Sequence, residues 1–108
     1  MTLDTARPGS RPERPSAHEA RQRLEHERNA RMAQLKAVDD VGAEEGDPLV
    51  VSQRNILRRV LKDVDAAVAR LDEGSYGTCQ GCARTIPDER LEILPYARFC
   101  VACQQRAG

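Results

Sequence analysis

Residues 74–106, GSYGTCQGCARTIPDERLEILPYARFCVACQQR, hold all four cysteines of a 108-residue chain. They stand as two Cys-x-x-Cys pairs, Cys79 with Cys82 and Cys100 with Cys103, separated by seventeen residues. A Cys-x-x-Cys turn lets two thiolates bind one ion at about 2.3 Å while backbone N–H groups face the sulfurs, and two such turns complete a tetrahedron. The spacing is that of a four-cysteine zinc site, so Cys79, Cys82, Cys100 and Cys103 are the expected metal ligands. Gly81, inside the first turn, is expected to supply a positive φ. With every coordination position taken by protein, the ion has no place for water or substrate, and its role is structural. A thioredoxin-like dithiol would need a βαβ setting, and none surrounds these pairs. A module of about 35 residues cannot hold together by burial alone, so the ion supplies its folding energy.

Between the pairs, Ile86 and Pro87 predict a short strand entering a turn, and Asp88 to Leu94 a helical turn stopped by Pro95. Ile86, Leu91, Ile93, Leu94, Tyr96 and Phe99 are the expected small core around the site. Arg84, Arg90, Arg98 and Arg106 make this end basic. For Arg98 and Arg106 two uses are open, a solvated surface or a grip on an acidic partner.

Upstream, charged residues make up 31% of the chain and aromatics 3%, with no tryptophan and one phenylalanine. Such a composition builds no broad core and must rely on helix pairing, a metal, or both. From Ala17 to Val38 helix formers dominate without proline or glycine, and Ser16 with Glu19 reads as a capping box. Leu24, Met32, Leu35 and Val38 give this helix a thin apolar stripe, interrupted by Arg28 and Arg31. After DDVGAEEGDP, Asp47 is a suitable N-cap, Pro48 sits at the first helical position, and the run continues to Glu73, where Gly74 stops it. Val50, Leu57, Val64 and Leu71 recur every seventh residue, Leu61 and Val68 fill the intervening positions, and Arg54 is the exception. That is a coiled-coil seam, and the short connection makes the two helices antiparallel neighbours. The expected fold is mainly α: an antiparallel coiled-coil hairpin over 17–73 with a C-terminal four-cysteine module over 74–108, preceded by a disordered Arg/Pro-rich arm over 1–16.

The tip of the hairpin, residues 39–47, carries Asp39, Asp40, Glu44, Glu45 and Asp47, with no basic residue among them. Asp47 serves as a cap; the other four have no evident structural task, while Gly42 and Gly46 permit the conformations a tight turn needs. One reading is a loop kept soluble by its charge. The other is an acidic probe on a long arm that reaches a metal ion or basic surface in a partner. The tip lacks the alternating ligand order of a calcium loop. His18 and His26 read as exposed helix residues. No serine–histidine or cysteine–histidine pair and no phosphate-cradling glycine loop is present, and the chain reads as a non-enzymatic protein.

The formal net charge is zero, from 17 basic and 17 acidic residues, which argues against a general nucleic-acid binder. No stretch has the length of a membrane-spanning helix, and the N-terminal residues lack the apolar core of a signal peptide. A cytoplasmic location is expected.

The run ARLDEGSYGTCQGCARTIPDERLEILPYARFCVACQQR resembles the DksA/TraR-type zinc-finger proteins. The shared features are Tyr76-Gly77 before Cys79, then Ile86-Pro87, Arg90-Leu91, Pro95, Ala97 and Cys100-x-x-Cys103-Gln104. The resemblance covers about residues 66 to 106, with the preceding hairpin similar in architecture more than in sequence. It implies a bacterial regulator, expected to be a monomer, that binds RNA polymerase rather than DNA and inserts its hairpin into the secondary channel. Asp39, Asp40, Glu44 and Glu45 would stand where the effector carboxylates approach the catalytic magnesium, and Cys79, Cys82, Cys100 and Cys103 would be the zinc ligands. The best-known members modulate initiation, often together with guanosine tetraphosphate. They carry D-x-x-D-x-A at the tip, and Asp39-Asp40-Val41-Gly42-Ala43-Glu44 does not contain that order. The alternative functions are a zinc-stabilised adaptor for another protein in a stress or developmental programme, and a nucleic-acid-binding finger.

Overall fold

The computed structural model describes residues 16–42 and 46–107; the expected arm, apart from Ser16, and the tip residues Glu44 and Glu45 lie outside them. Four helices follow in order: α1 (Ala17–Gly42), α2 (Pro48–Glu73), α3 (Asp88–Ile93) and α4 (Val101–Ala107). Among the described residues no helix is long and apolar enough to cross a membrane.

The caps form as the sequence requires. The Ser16 hydroxyl accepts from Glu19 N at 3.0 Å, and the Glu19 carboxylate accepts from Ser16 N at 3.2 Å. Asp47 accepts from Leu49 N at the start of α2, and Gly74 ends it in the left-handed region at φ 87°. With 26 residues each, α1 and α2 are about 39 Å long.

Ion pairs give their register. Arg21 meets Asp72 at 2.7 Å; seven residues further on α1, Arg28 meets Asp65, seven residues back on α2, at 3.5 Å. Eleven further on, Asp39 meets Arg54, eleven back, at 2.7 Å. The helices are therefore antiparallel with no slip between these rungs. The α2 seam is the expected one, with Val50, Arg54, Leu57, Leu61, Val64, Val68 and Leu71 all wholly or partly buried. On α1 the seam differs from the expected stripe. Met32 is 46% exposed, and the inward positions after Leu24 are Glu27, Ala30, Arg31, Leu35 and Val38. Arg31 and Glu27 pair at 2.7 Å, so two charged side chains occupy the middle of the hairpin with their charges matched and their stems covering the seam.

At the open end of the hairpin, Ala20 and Leu24 of α1 and Val64 and Ala67 of α2 are buried together with Tyr76, Ile86, Leu91 and Ala97 of the cysteine module. The module thus shares its core with the hairpin base. The Tyr76 hydroxyl donates to Pro95 O at 2.7 Å, and burial pushes its pKa up to about 12. Arg23 of α1 reaches Asp88 at the start of α3, at 3.1 Å, tying the two parts from outside the core. Two expectations for the module are corrected. The strand at Ile86-Pro87 is absent; a single antiparallel bridge joins Thr78 and Thr85, formed by Ile86 N donating to Gly77 O and Cys79 N to Arg84 O, and Pro87 has no N–H with which to continue the pairing. Ile93 is 78% exposed, since on the short α3 it faces away from Leu91.

Leu24 is fully buried, so Leu24→Ala is expected to destabilise the whole fold by about 2–5 kcal/mol, read by chemical denaturation. If only the hairpin signal moved and the module's did not, the shared core would be wrong.

Candidate metal centre

The polypeptide brings all four cysteines to one point. The Cys79, Cys82, Cys100 and Cys103 sulfurs lie within 4.8 Å of one another, with Cys79 and Cys103 buried and Cys82 exposed. The first pair sits on the turn after the Thr78–Thr85 bridge, where Cys79 N donates to Arg84 O and Ala83 N to Cys79 O. The second pair is set by α4, which starts at Val101 and so carries Cys103 in its first turn.

The residue with positive φ in the first turn is Ala83, at 66°, and not Gly81. Gly81 is required for another reason. A Cβ there would lie 2.9 Å from Cys103 Sγ and 3.1 Å from Cys103 Cβ, so any side chain would push the two turns apart.

The arrangement fits a tetrahedral ion. Four sulfurs at about 2.3 Å from a zinc ion stand about 3.8 Å apart, and Cys82 Sγ and Cys100 Sγ are 3.9 Å apart. That separation is far beyond the roughly 2.05 Å of a disulfide, and all four cysteines are free. Cys79 Sγ accepts from Gly81 N and Cys100 N, both at 3.3 Å. Burial opposes ionisation of Cys79, yet the backbone donors of Cys100, Gly81 and Cys82 outweigh it and bring its pKa down to about 6. Burial and the neighbouring thiols push Cys103 the other way, to about 12. Four thiols this close cannot all ionise without a cation, and a divalent ion removes the conflict. When bound, such an ion crosslinks the two turns and does no chemistry on a substrate, because four protein sulfurs close its coordination.

Next to the centre, a cavity of about 220 Å³ between α2 and the module is lined by Asp63, Arg70, Arg90, Tyr96, Arg98 and others. Nothing in the sequence sets Arg70 apart from the other arginines of α2. It is 7% exposed, and no described group accepts from its Nε. Its other contacts are long, 3.5 Å to Tyr96 O and Ala97 O. Burial and the charge of Arg98 lower its pKa. Asp63, in the same lining, and Glu73 offset part of the charge, but the Arg70 guanidinium stays short of acceptors.

At the far end, Asp39 and Asp40 are not bare loop carboxylates. α1 extends past the expected end at Val38 to Gly42, and both aspartates lie in its last turns. Asp39 accepts from Arg54 Nε at 2.7 Å and Asp40 from Lys36 Nζ at 3.1 Å. Their neutralising cations come from the preceding turn and the facing helix, outside the acidic stretch itself. Gly46, at φ 94°, supplies the left-handed residue before the α2 cap. His18 and His26 are exposed on α1.

Residues 74–107 match the model of the prokaryotic DksA/TraR C4-type zinc finger. Four clustered cysteines in such a finger mark a structural Zn2+ site. Among its relatives, General stress protein 16O of Bacillus subtilis is 41% identical over 51 residues, covering 47% of this chain and 31% of its own length. The RNA polymerase-binding transcription factor DksA of Caulobacter vibrioides is 28% identical over 88 residues, 82% of this chain and 62% of that protein. Its Escherichia coli namesake is 29% identical over 70 residues, 65% and 46%. The chain thus spans from about a third to under two thirds of these relatives' lengths. Transcription factor DksA2 from Pseudomonas aeruginosa is a structural neighbour at a TM-score of 0.41 and 26% identity, covering 84% of this chain and 76% of that one.

Removing the metal with a strong chelator is expected to unfold the module while part of the helical signal of α1 and α2 persists, followed by circular dichroism. Gly81→Ala should weaken metal retention even though alanine is otherwise tolerated in turns, because its Cβ meets Cys103 Sγ. Protons compete for the thiolates, so metal is retained at neutral pH and released as pH falls. A pH titration that shows no release down to pH 4 would contradict a tetrathiolate site.

Proposed function

We propose that this protein is a non-enzymatic, cytoplasmic regulator of bacterial transcription that binds RNA polymerase and inserts its hairpin into the secondary channel. In this reading Cys79, Cys82, Cys100 and Cys103 hold the zinc that fixes the base. The tip residues Asp39, Asp40, Glu44 and Glu45 are the acidic groups that approach the catalytic metal. The observation that carries the proposal is the combination of the family's zinc finger with a hairpin of about 39 Å whose acidic end is far from the cysteines. The printed name of the Caulobacter relative, which states RNA polymerase binding, supports the partner.

Because Arg54 holds Asp39 and Lys36 holds Asp40, the two aspartates serve first to order the end of α1. Approach to a partner's metal would require exchange of these pairs, which at exposed sites is cheap. The lack of the D-x-x-D-x-A order leaves the direction of regulation open to measurement. In vitro transcription with purified polymerase tests the proposal. Alanine at Asp39, Asp40, Glu44 and Glu45 together is expected to abolish the effect on initiation while leaving polymerase binding within a few-fold of wild type. Absence of binding by the wild-type chain at low salt would overturn it.

The same reading gives guanosine tetraphosphate a place. The cavity with Arg70, Arg90 and Arg98 offers guanidinium donors, one of them buried and unsatisfied, to a diphosphate group. Arg98→Ala is expected to weaken any response to guanosine tetraphosphate about tenfold without changing metal content; an undiminished response would remove this cavity from the account.

A further inference from the structure

We propose that Arg106 is the charge-balancing residue of the metal centre, donating from its guanidinium to the Cys103 sulfur and so slowing loss of the ion. The inference rests on the reading of the four cysteines as zinc ligands and goes beyond it. A divalent ion with four thiolates carries two net negative charges, which the surroundings must offset with donors or cations. The sulfurs receive these unequally. Cys79 Sγ takes two backbone N–H groups, whereas Cys103 Sγ takes Arg106 Nη2 at 3.3 Å. Among the described residues Arg106 is the only cationic side chain that donates to a sulfur.

Two other arginines of this end make no contact with a sulfur: Arg90 donates to Phe99 O at 3.0 Å, and Arg98 lies 5.1 Å over the Phe99 ring. The geometry is helical. Cys103 and Arg106 are three residues apart on α4 and so share one face. Gly81 also lies against this sulfur, since even a Cβ there would sit 2.9 Å from it. Cys103 Sγ thus meets both the Gly81 turn and a guanidinium, while Cys82 stays exposed. Arg106 acts through Cys103 and is a positioning residue.

The test uses the full chain loaded with Zn2+ or with Co2+, comparing wild type with Arg106→Ala, Arg106→Lys and Arg106→Gln. Transfer of zinc to a chromogenic chelator should be faster in Arg106→Ala by on the order of tenfold, the range of an outer-shell contact. Arg106→Lys should recover most of the loss and Arg106→Gln little. The wild-type advantage should shrink as salt rises, as for a charge near the surface. In the cobalt form, removal of the donor should move the thiolate-to-metal charge-transfer band to lower energy. Equal transfer rates and an unmoved band in Arg106→Ala would overturn the proposal. Should that variant bind less than one ion, equal rates in the Lys and Gln variants would overturn it instead. A wild-type chain that binds no zinc at all would overturn the zinc reading itself; one ion per chain with unchanged variants would sink only the role of Arg106.

Discussion

Four cysteine sulfurs within 4.8 Å of one another are the constraint on which the C-terminal third depends. Thiolates at that separation repel, and neutral thiols make poor hydrogen bonds, so the turns that carry them have no reason to meet without a cation. Every local feature nearby serves that meeting. Gly81 lacks a side chain where Cys103 must pass, Ala83 takes the left-handed turn, and α4 begins directly after Cys100. The ion replaces a hydrophobic core that a module of this size cannot build.

The module is nevertheless not independent of the hairpin. Leu24, Val64, Ile86 and Leu91 are all fully buried in one cluster that draws on α1, α2 and the segment between the cysteine pairs. Away from this cluster the hairpin has no such core. Its distal half relies on a half-buried seam, with Glu27 and Arg31 in the middle and the Asp39–Arg54 pair near the tip. Exposed pairs of this kind contribute little stability individually, but at three places they fix which turn of α1 faces which turn of α2. The protein is therefore firmest at the base and thinnest toward its acidic end.

Much of this was legible in the sequence. The cysteine spacing, the heptad of α2, the Ser16–Glu19 box and the Asp47–Pro48 start each depend on residues close in sequence, and all four appear in the structure. The misreadings share a cause. Periodicity gives the face of a helix but not what lies against it. Met32 belongs to the expected apolar stripe and Ile93 to the expected small core because both are apolar, yet Met32 is 46% and Ile93 78% exposed. The bareness assigned to Asp39 and Asp40 came from looking only within the loop, whereas Arg54 faces Asp39 from fifteen residues further along the chain. Gly81 was assigned the right importance for the wrong reason, since a steric demand from Cys103, twenty-two residues away, has no local signature.

By itself the sequence determined the elements, their caps, the pairing of the two long helices and the metal that the cysteines select, because each follows from spacing and side-chain chemistry along the chain. Only the tertiary structure decided that hairpin and module share one core. It alone buried Arg70 beside Arg98 in a cavity. These are encounters between segments remote in sequence, and burial and charge act on them through distance in space.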